Sequence, residues 1–178
     1  MAAIPLPDPL LSDGVVTLRP WEPEDAPVLA AAWDDAEVRR WTGAPDVADE
    51  EQARRWIEST ASLRDGGRSL DLLVTDADDH RPLGEVGLTG FGRQGGRDAE
   101  VGWWVLGEER GRGTAARALD LLAQWALGPP MHLDELVAWV DPENVASQKV
   151  ADRAGFVRMP SPGPASTAVG WTRSRLTP

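Results

Sequence analysis

The sequence predicts an α/β fold, and three observations carry that reading. Runs rich in β-branched and apolar residues alternate along the chain with segments of helical periodicity. One pair of such runs, joined around Asp76 to Pro82, reads as strand, turn, strand, so hairpins are mixed with helical connections. The 178 residues, 42% hydrophobic and 26% charged, suffice for one domain with a real core, 1–178, and no internal repeat or long linker divides them.

The elements follow in order. GVVTLRPW, Gly14 to Trp21, reads as a first strand. EPEDAPVLAAAW is a helix with acids and proline in its first turn, where unpaired N–H groups and the helix dipole favour them. Asp49 and Gln52 have capping-box spacing. Beyond them Ala53, Trp56, Ile57, Thr60 and Leu63 recur at helical spacing until Gly66 and Gly67 stop the helix. SLDLLVTDADDHRPLGEVGLTGF is the hairpin, and GRQGGRD a loop. AEVGWWVL, apolar on both faces after Glu100, reads as a central strand. A turn of glycine and arginine then opens a helix whose Leu119, Leu122, Ala123 and Ala126 form one core-facing stripe, ended by GPP. LDELVAWV is another strand, and DPENVASQKVADRAGF a short helix stopped at Gly155. MPSPGPAS is a loop, and AVGWTRSRL a last, edge strand, with a further short strand open at Phe156 to Arg158. The order is β-α-α-β-β-β-α-β-α-β, and residues 1–13 are expected to be loosely held.

Composition narrows the chemistry. A net charge of -11 argues against a nucleic-acid partner. An acidic field favours cationic partners such as amines, or serves solubility alone. With no cysteine, and His80 and His132 in unrelated contexts, no metal site is expected. Positive charge is almost all arginine, Lys149 being the single lysine. Nine tryptophans accompany no tyrosine at all, which removes one common general acid. Trp125 and Trp139 read as core residues. The N-terminus lacks a basic region followed by a long apolar run, and no apolar stretch approaches the ~20 residues of a membrane span. No membrane partner and a cytoplasmic location are expected.

The most specific stretch is Arg110-Gly111-Arg112-Gly113-Thr114-Ala115, between a central strand and a helix. A helix start offers four unpaired N–H donors and about half a positive charge. Glycines at 111 and 113 let the backbone approach a bulky anion, and Arg110, Arg112 and Arg117 add charge. This arrangement suits a pyrophosphate. It lacks the Gly-Lys-Ser/Thr of a P-loop and is not the G-x-G-x-x-G fingerprint. A plain glycine turn remains the alternative.

Here the chain resembles the GNAT superfamily of N-acetyltransferases. Arg110 to Ala115 fits its Arg/Gln-x-x-Gly-x-Gly/Ala loop, and NVASQKVADRAGF, Asn144 to Phe156, is similar to its later helix ending in Gly-Phe. VTLRPWEPEDAPVLAAAW and AEVGWWVL resemble the branch that acetylates ribosomal-protein N-termini. The resemblance spans about Val15 to Phe156. It implies a mixed, mostly antiparallel sheet flanked by helices, with the strands Ala99–Leu106 and Leu136–Val140 splayed apart. Acetyl-CoA would be the acyl donor, its pantetheine arm bonded to strand backbone at Trp103, Trp104 and Val105. Its pyrophosphate would lie on N–H groups of Gly111 and Gly113 to Ala115. A main-chain N–H near Val105 would act as oxyanion donor, and Asn144 would contact the pantetheine amides or simply cap its helix.

The implied reaction is direct attack of an amine on the thioester, which needs a base or water relay because an alkylammonium is protonated at neutral pH. Glu100 is the first candidate, or an ordinary strand-end charge; Glu85 and Asp141 are reserves, Asp141 equally a turn residue. The family's usual acid is a tyrosine seven positions after the helix asparagine, and here that position is Ala151. Ser147 is the natural substitute, or a first-turn serine satisfying backbone groups. Trp33, Trp41 and Trp56 would either wall the acceptor cleft or only pack. Alternatives are a non-catalytic acyl-CoA-binding or regulatory module, transfer of another acyl group such as succinyl, and, more distantly, a nucleotide-binding protein. The acceptor is a protein N-terminus or a small amine. An exposed last strand could pair in a homodimer.

Overall fold

Eight strands form one sheet in the computed structural model, which describes residues 2–45, 48–93, 95–160 and 168–175. In chain order they are β1 (Leu11–Ser12), β2 (Val16–Pro20), β3 (Leu70–Asp76), β4 (Pro82–Thr89), β5 (Asp98–Val105), β6 (Glu135–Val140), β7 (Val157–Arg158) and β8 (Val169–Ser174). Across the sheet the order is β1-β2-β3-β4-β5-β6-β8-β7. Every neighbouring pair is antiparallel except β5 and β6, so the sheet is mixed and mostly antiparallel, as the resemblance implies. The helices among the described residues are α1 (Ala26–Asp34), α2 (Ala36–Trp41), α3 (Glu50–Asp65), α4 (Thr114–Leu127) and α5 (Val145–Arg153).

Strand alternation divides the core in two. On β3, Leu72 and Val74 face one cluster with Leu18, Val86, Leu88 and the α4 stripe Leu119, Leu122, Ala123 and Ala126. Leu73 faces the other way, into Trp21, Leu29, Trp33 and Ile57 beneath α1 and α3. Helix starts follow their caps: Asp49 accepts from the Gln52 N–H at 2.7 Å at the start of α3. Asp35 accepts from the N–H groups of Glu37 and Val38 and starts α2, a short extra helix within the connection carrying Trp41.

The feature that shapes the site is the β5–β6 pair. These strands align only at Asp98↔Glu135, Ala99↔Leu136 and Glu100↔Val137. Beyond Val137, β6 stays paired with β8 up to Val140↔Val169, while β5 stays paired with β4 up to Gly84↔Val105. Each strand follows its other neighbour, and the two part. Gly84 keeps β4 tight on β5: a Cβ there would lie 2.3 Å from the Trp104 carbonyl oxygen.

Three local expectations change. The last strand, β8, is not an edge strand: it lies between β6 and the two-residue β7, because Val157 and Arg158 return to pair with Thr172 and Trp171. Residues 2–13, expected loose, are tied to the body. Ile4 is buried and donates its N–H to the Arg64 carbonyl at 3.0 Å, β1 pairs with β2, and Asp13 holds Arg117 at 2.7 Å. Trp139, expected in the core, is 45% exposed because its neighbours Ala138 and Val140 take the inward positions on β6. The expected loop Met159 to Ser166 falls mostly outside the described residues.

Candidate active site

Two cavities, of about 820 and 550 Å³, meet where β5 leaves β6. Trp41, Thr42, Trp103, Trp104, Asn144 and Ser147 line both. The smaller one runs from Trp103–Val105 past Gly111, Gly113 and Thr114–Ala116 to α5. Gly113 is the N-cap of α4 at φ 88°, left-handed backbone that a side chain would strain. It provides no side-chain cap, so the first-turn N–H groups of α4 remain open toward the cavity.

The loop ahead of α4 is shaped from within. Glu109, 5% exposed, accepts from Arg81 Nη1 at 3.0 Å and from the Thr114 hydroxyl at 3.2 Å. Thr114 can therefore offer a ligand its main-chain N–H, while its side chain is committed. The loop arginines are also engaged: Arg110 with Asp35 at 2.6 Å, Arg112 with Glu109 at 3.8 Å, Arg117 with Asp13. Two cations that the sequence reading did not assign, Lys149 and Arg153, line this cavity and have no ion-pair partner among the described residues. Their i, i+4 spacing on α5 was the available signal, since it puts both on one helix face.

At the junction, Asn144 accepts from the Ser147 N–H at 3.0 Å, so it is the N-cap of α5. The Ser147 hydroxyl has no hydrogen-bond partner among the described residues; it does not bond to the backbone as a first-turn serine often does. Ala151 is fully buried in the core, which leaves no ionisable group at the expected tyrosine position.

The larger cavity adjoins the smaller one over the face of the sheet that carries Asp71, Glu85 and Trp104. Its floor is β3, β4 and β5, and its lining includes Asp71, Glu85, Glu100, Gly87, Gly102 and Trp104. Register places Glu85 beside Trp104 and Glu100 beside Thr89. Trp33, Trp41, Trp56 and Trp139 line the walls. Two of them, Trp33 and Trp56, belong to a connected group with Trp21 and Trp104: Trp56 meets Trp21 and Trp33 edge-on, each at 6.1 Å, and Trp21 lies 6.4 Å from Trp104.

The acids here differ. Glu100 is held by Arg93 at 2.9 Å. Glu85 accepts from the indole N–H of Trp21 at 3.0 Å and of Trp104 at 3.3 Å. Burial, then the nearby charge of Asp71, pushes the Glu85 carboxyl up to about 8, and the two indole donors only partly offset this. Burial also raises Asp71, against a hydrogen bond from the Ser69 hydroxyl. Asp141 lies at the cavity rim after β6, its carboxylate accepting from the Glu143 N–H as in a turn. Among the described residues no group of three or more histidine, aspartate and glutamate side chains is disposed to hold a metal ion.

Comparison with known proteins gives a consistent likeness. The model of the acetyltransferase (GNAT) domain family matches residues 16–157. An uncharacterised N-acetyltransferase, p20 of Bacillus licheniformis, is 30% identical over 143 residues, 79% of this chain and 78% of that protein. Among solved structures, Mycobacterium smegmatis RimJ in complex with CoA-disulfide superposes with a TM-score of 0.79 at 20% identity, over 90% of this chain and 82% of that one. The ribosomal-protein-S5-alanine acetyltransferase of Vibrio fischeri gives 0.75 at 19% identity, over 90% and 93%.

Proposed function

The chain belongs to the GNAT acetyltransferase family, and on that premise we propose that it transfers the acetyl group of acetyl-CoA directly to a primary amine at the junction of its two cavities. The observation that carries this reading is the meeting of both cavities at Trp103, Trp104 and Ser147, beside the gap between β5 and β6. The smaller cavity suits the cofactor. Unpaired N–H groups at Gly111 and Gly113–Ala115 would take the pyrophosphate, aided by Lys149 and Arg153. The β5 edge at Trp103–Val105 would bond the pantetheine amides, with Asn144 facing it from α5. Arg110 and Arg112 would support the loop through Asp35 and Glu109 as much as contact phosphate. The lack of a membrane-length apolar helix among the described residues and the use of acetyl-CoA suit a cytoplasmic enzyme.

The amine arrives as an ammonium and must lose a proton before its lone pair attacks the thioester carbonyl. Glu85 is the base of this proposal rather than Glu100. It lies opposite Trp104 at the junction, while Glu100 stands four residues earlier on β5, about 13 Å away along an extended strand. Its carboxyl, pushed up to about 8, both gains and loses a proton near neutral pH, and its ionised form, which accepts the amine proton, grows as pH rises toward that value. A main-chain N–H near Val105 would hold the oxyanion. As the C–S bond breaks, the electron pair goes to sulfur, and the Ser147 hydroxyl would hydrogen-bond the thiolate until solvent protonates it.

The test is kcat/KM against pH for the parent, Glu85→Gln and Glu100→Gln, with a panel of primary amines and acetyl-CoA binding measured separately. Glu85→Gln is expected to lose on the order of a hundredfold near pH 7.5. The loss shrinks at high pH, where the amine arrives deprotonated. Glu100→Gln is expected to stay within about threefold, below a typical acid–base contribution. A hundredfold loss in Glu100→Gln with Glu85→Gln unaffected would return the role to Glu100. No turnover with any amine, despite tight acetyl-CoA binding, would make the chain a binding module.

A further inference from the structure

Asp71 and Glu85 are two adjacent carboxyls with no cation beside them among the described residues. They stand on adjacent strands, on the same face, at the floor of the larger cavity. Register pairs Asp71 with Gly87 and Leu73 with Glu85, so the two carboxyls are diagonal neighbours. Many other acids near the site have an arginine: Asp35 has Arg110, Glu100 has Arg93, Glu109 has Arg81, Asp25 has Arg19. Asp71 and Glu85 have none among the described residues; their partners are the Ser69 hydroxyl and two indole N–H groups. Withdrawing carboxylates from water without a counter-cation is costly, and a chain rich in arginine leaves these two without one.

The walls say what kind of cation would complete them. Indole faces attract a positive charge electrostatically and an apolar body by burial. A Cβ at Gly87 would lie 3.0 Å from the Asp71 carboxylate oxygen, and one at Gly102, across from Gly87 on β5, would meet nothing within 4 Å, so the floor beside Asp71 carries no side chain. The floor strands β3 and β4 are paired on both sides here, so they offer no free edge along which a peptide main chain could bond. The open edges, that of β5 beyond Glu100 and that of β6 beyond Val137, face the gap that the pantetheine arm takes in the reading above. Resting on that reading, we infer that the tryptophan-walled end of the larger cavity, floored by Asp71 and Glu85, binds a small organic ammonium with an apolar body, so that the acceptor is a compact hydrophobic amine rather than a protein N-terminus.

The inference makes binding depend on pH. The charged or titratable groups facing the site are Asp71 on β3, Glu85 on β4, Glu100 on β5, Asp141 after β6 and Arg55 on α3, the last paired with Glu51 and Glu100 with Arg93. As pH rises the floor ionises, so a cation of fixed charge binds more tightly.

The probe is phenyltrimethylammonium, which cannot be acetylated and has no proton to lose, compared with its neutral isostere tert-butylbenzene. Binding is read from tryptophan fluorescence of the whole protein, and inhibition from acetyl transfer to 2-phenylethylamine. The cation is expected to quench saturably, compete with the amine, and bind about tenfold more tightly at pH 9 than at pH 6. Asp71→Asn should weaken it about tenfold while leaving the Kd for acetyl-CoA unchanged. The neutral isostere should bind at least tenfold more weakly than the cation on the native protein, a comparison that needs no variant. Equal binding of both probes would overturn the inference. So would a kcat/KM for a short peptide with N-terminal alanine or serine above that for 2-phenylethylamine. Loss of acetyl-CoA binding, or absence of turnover with any amine, would instead sink the transferase reading and leave cation binding to be judged by fluorescence alone.

Discussion

Ser147 is the residue whose surroundings invite the sharpest single test. Its hydroxyl has no hydrogen-bond partner among the described residues at the meeting of two cavities, and buried Ala151 stands at the expected tyrosine position. A serine cannot deliver a proton as a phenol does, but it can hydrogen-bond a developing thiolate. Ser147→Ala should therefore lower kcat on the order of ten- to a hundredfold, at or below the low end of what a positioned acid–base group supplies. The KM for acetyl-CoA should change little, because the main-chain cradle is untouched. Unchanged kcat in the folded variant would mean that solvent alone protonates the sulfur. At this scale sequence reading had a blind spot: Glu85 and Glu100 are both acids on neighbouring strands, and only the tertiary contacts show that Trp21 and Trp104 hold the first while Arg93 pairs with the second.

At the scale of elements, the start of α4 is where the proposed reading puts the pyrophosphate. Gly113 sits left-handed at the N-cap with no side-chain acceptor, and Glu109 fixes the preceding turn from the buried side. Gly113→Asp adds bulk, a strained backbone and a negative charge where the pyrophosphate is expected. Acetyl-CoA should raise the Tm of the parent, since a ligand selective for the native state stabilises it by mass action. It should no longer do so in Gly113→Asp. A folded variant with the parent's ligand-induced shift would show that the phosphates lie elsewhere. The same scale explains the splayed strands. A parallel pair joined by a crossover helix shares few residues here because each member has a longer antiparallel commitment on its other side.

The whole molecule should register the cost of its acidic floor. Glu85 is raised from an ordinary 4.5 to about 8, and Asp71 is raised as well, so between those values the native chain binds protons that the unfolded chain has released. Stability contributed this way is full below the unfolded value and falls as pH rises toward 8. The paired carboxyls of Asp13 and Asp35 shift downward, and their contribution is lost only on acidification below the ordinary carboxylate range, outside this window. The Tm of the ligand-free protein is therefore expected to fall between pH 5.5 and 8.5, by a free energy on the order of a few kcal/mol. Glu85→Gln should flatten that slope. Calorimetry at three pH values decides it, and a level profile in the parent would mean that Glu85 titrates normally.

The sequence by itself determined the elements and their order, because strand and helix periodicities, caps and glycine stops are local properties. Asp49 with Gln52, the α4 stripe and the Gly155 stop are legible without neighbours. It also carried the glycine-rich turn that opens α4, since the Gly111 and Gly113 spacing is contiguous, and through motif order it pointed to the family. Tertiary structure alone decided what depends on residues far apart in the chain. The pairing of Val157–Arg158 with β8 took that strand off the edge, and the contact of Ile4 with Arg64 tied down the N-terminal residues. The choice among Glu85, Glu100 and Asp141 likewise required knowing which carboxyl meets an arginine, which meets two indoles, and which is left to the rim. Desolvation and charge pairing are set by what packs around a group, and those neighbours come at once from the end of β2, from β3, from β5 and from the loop before it.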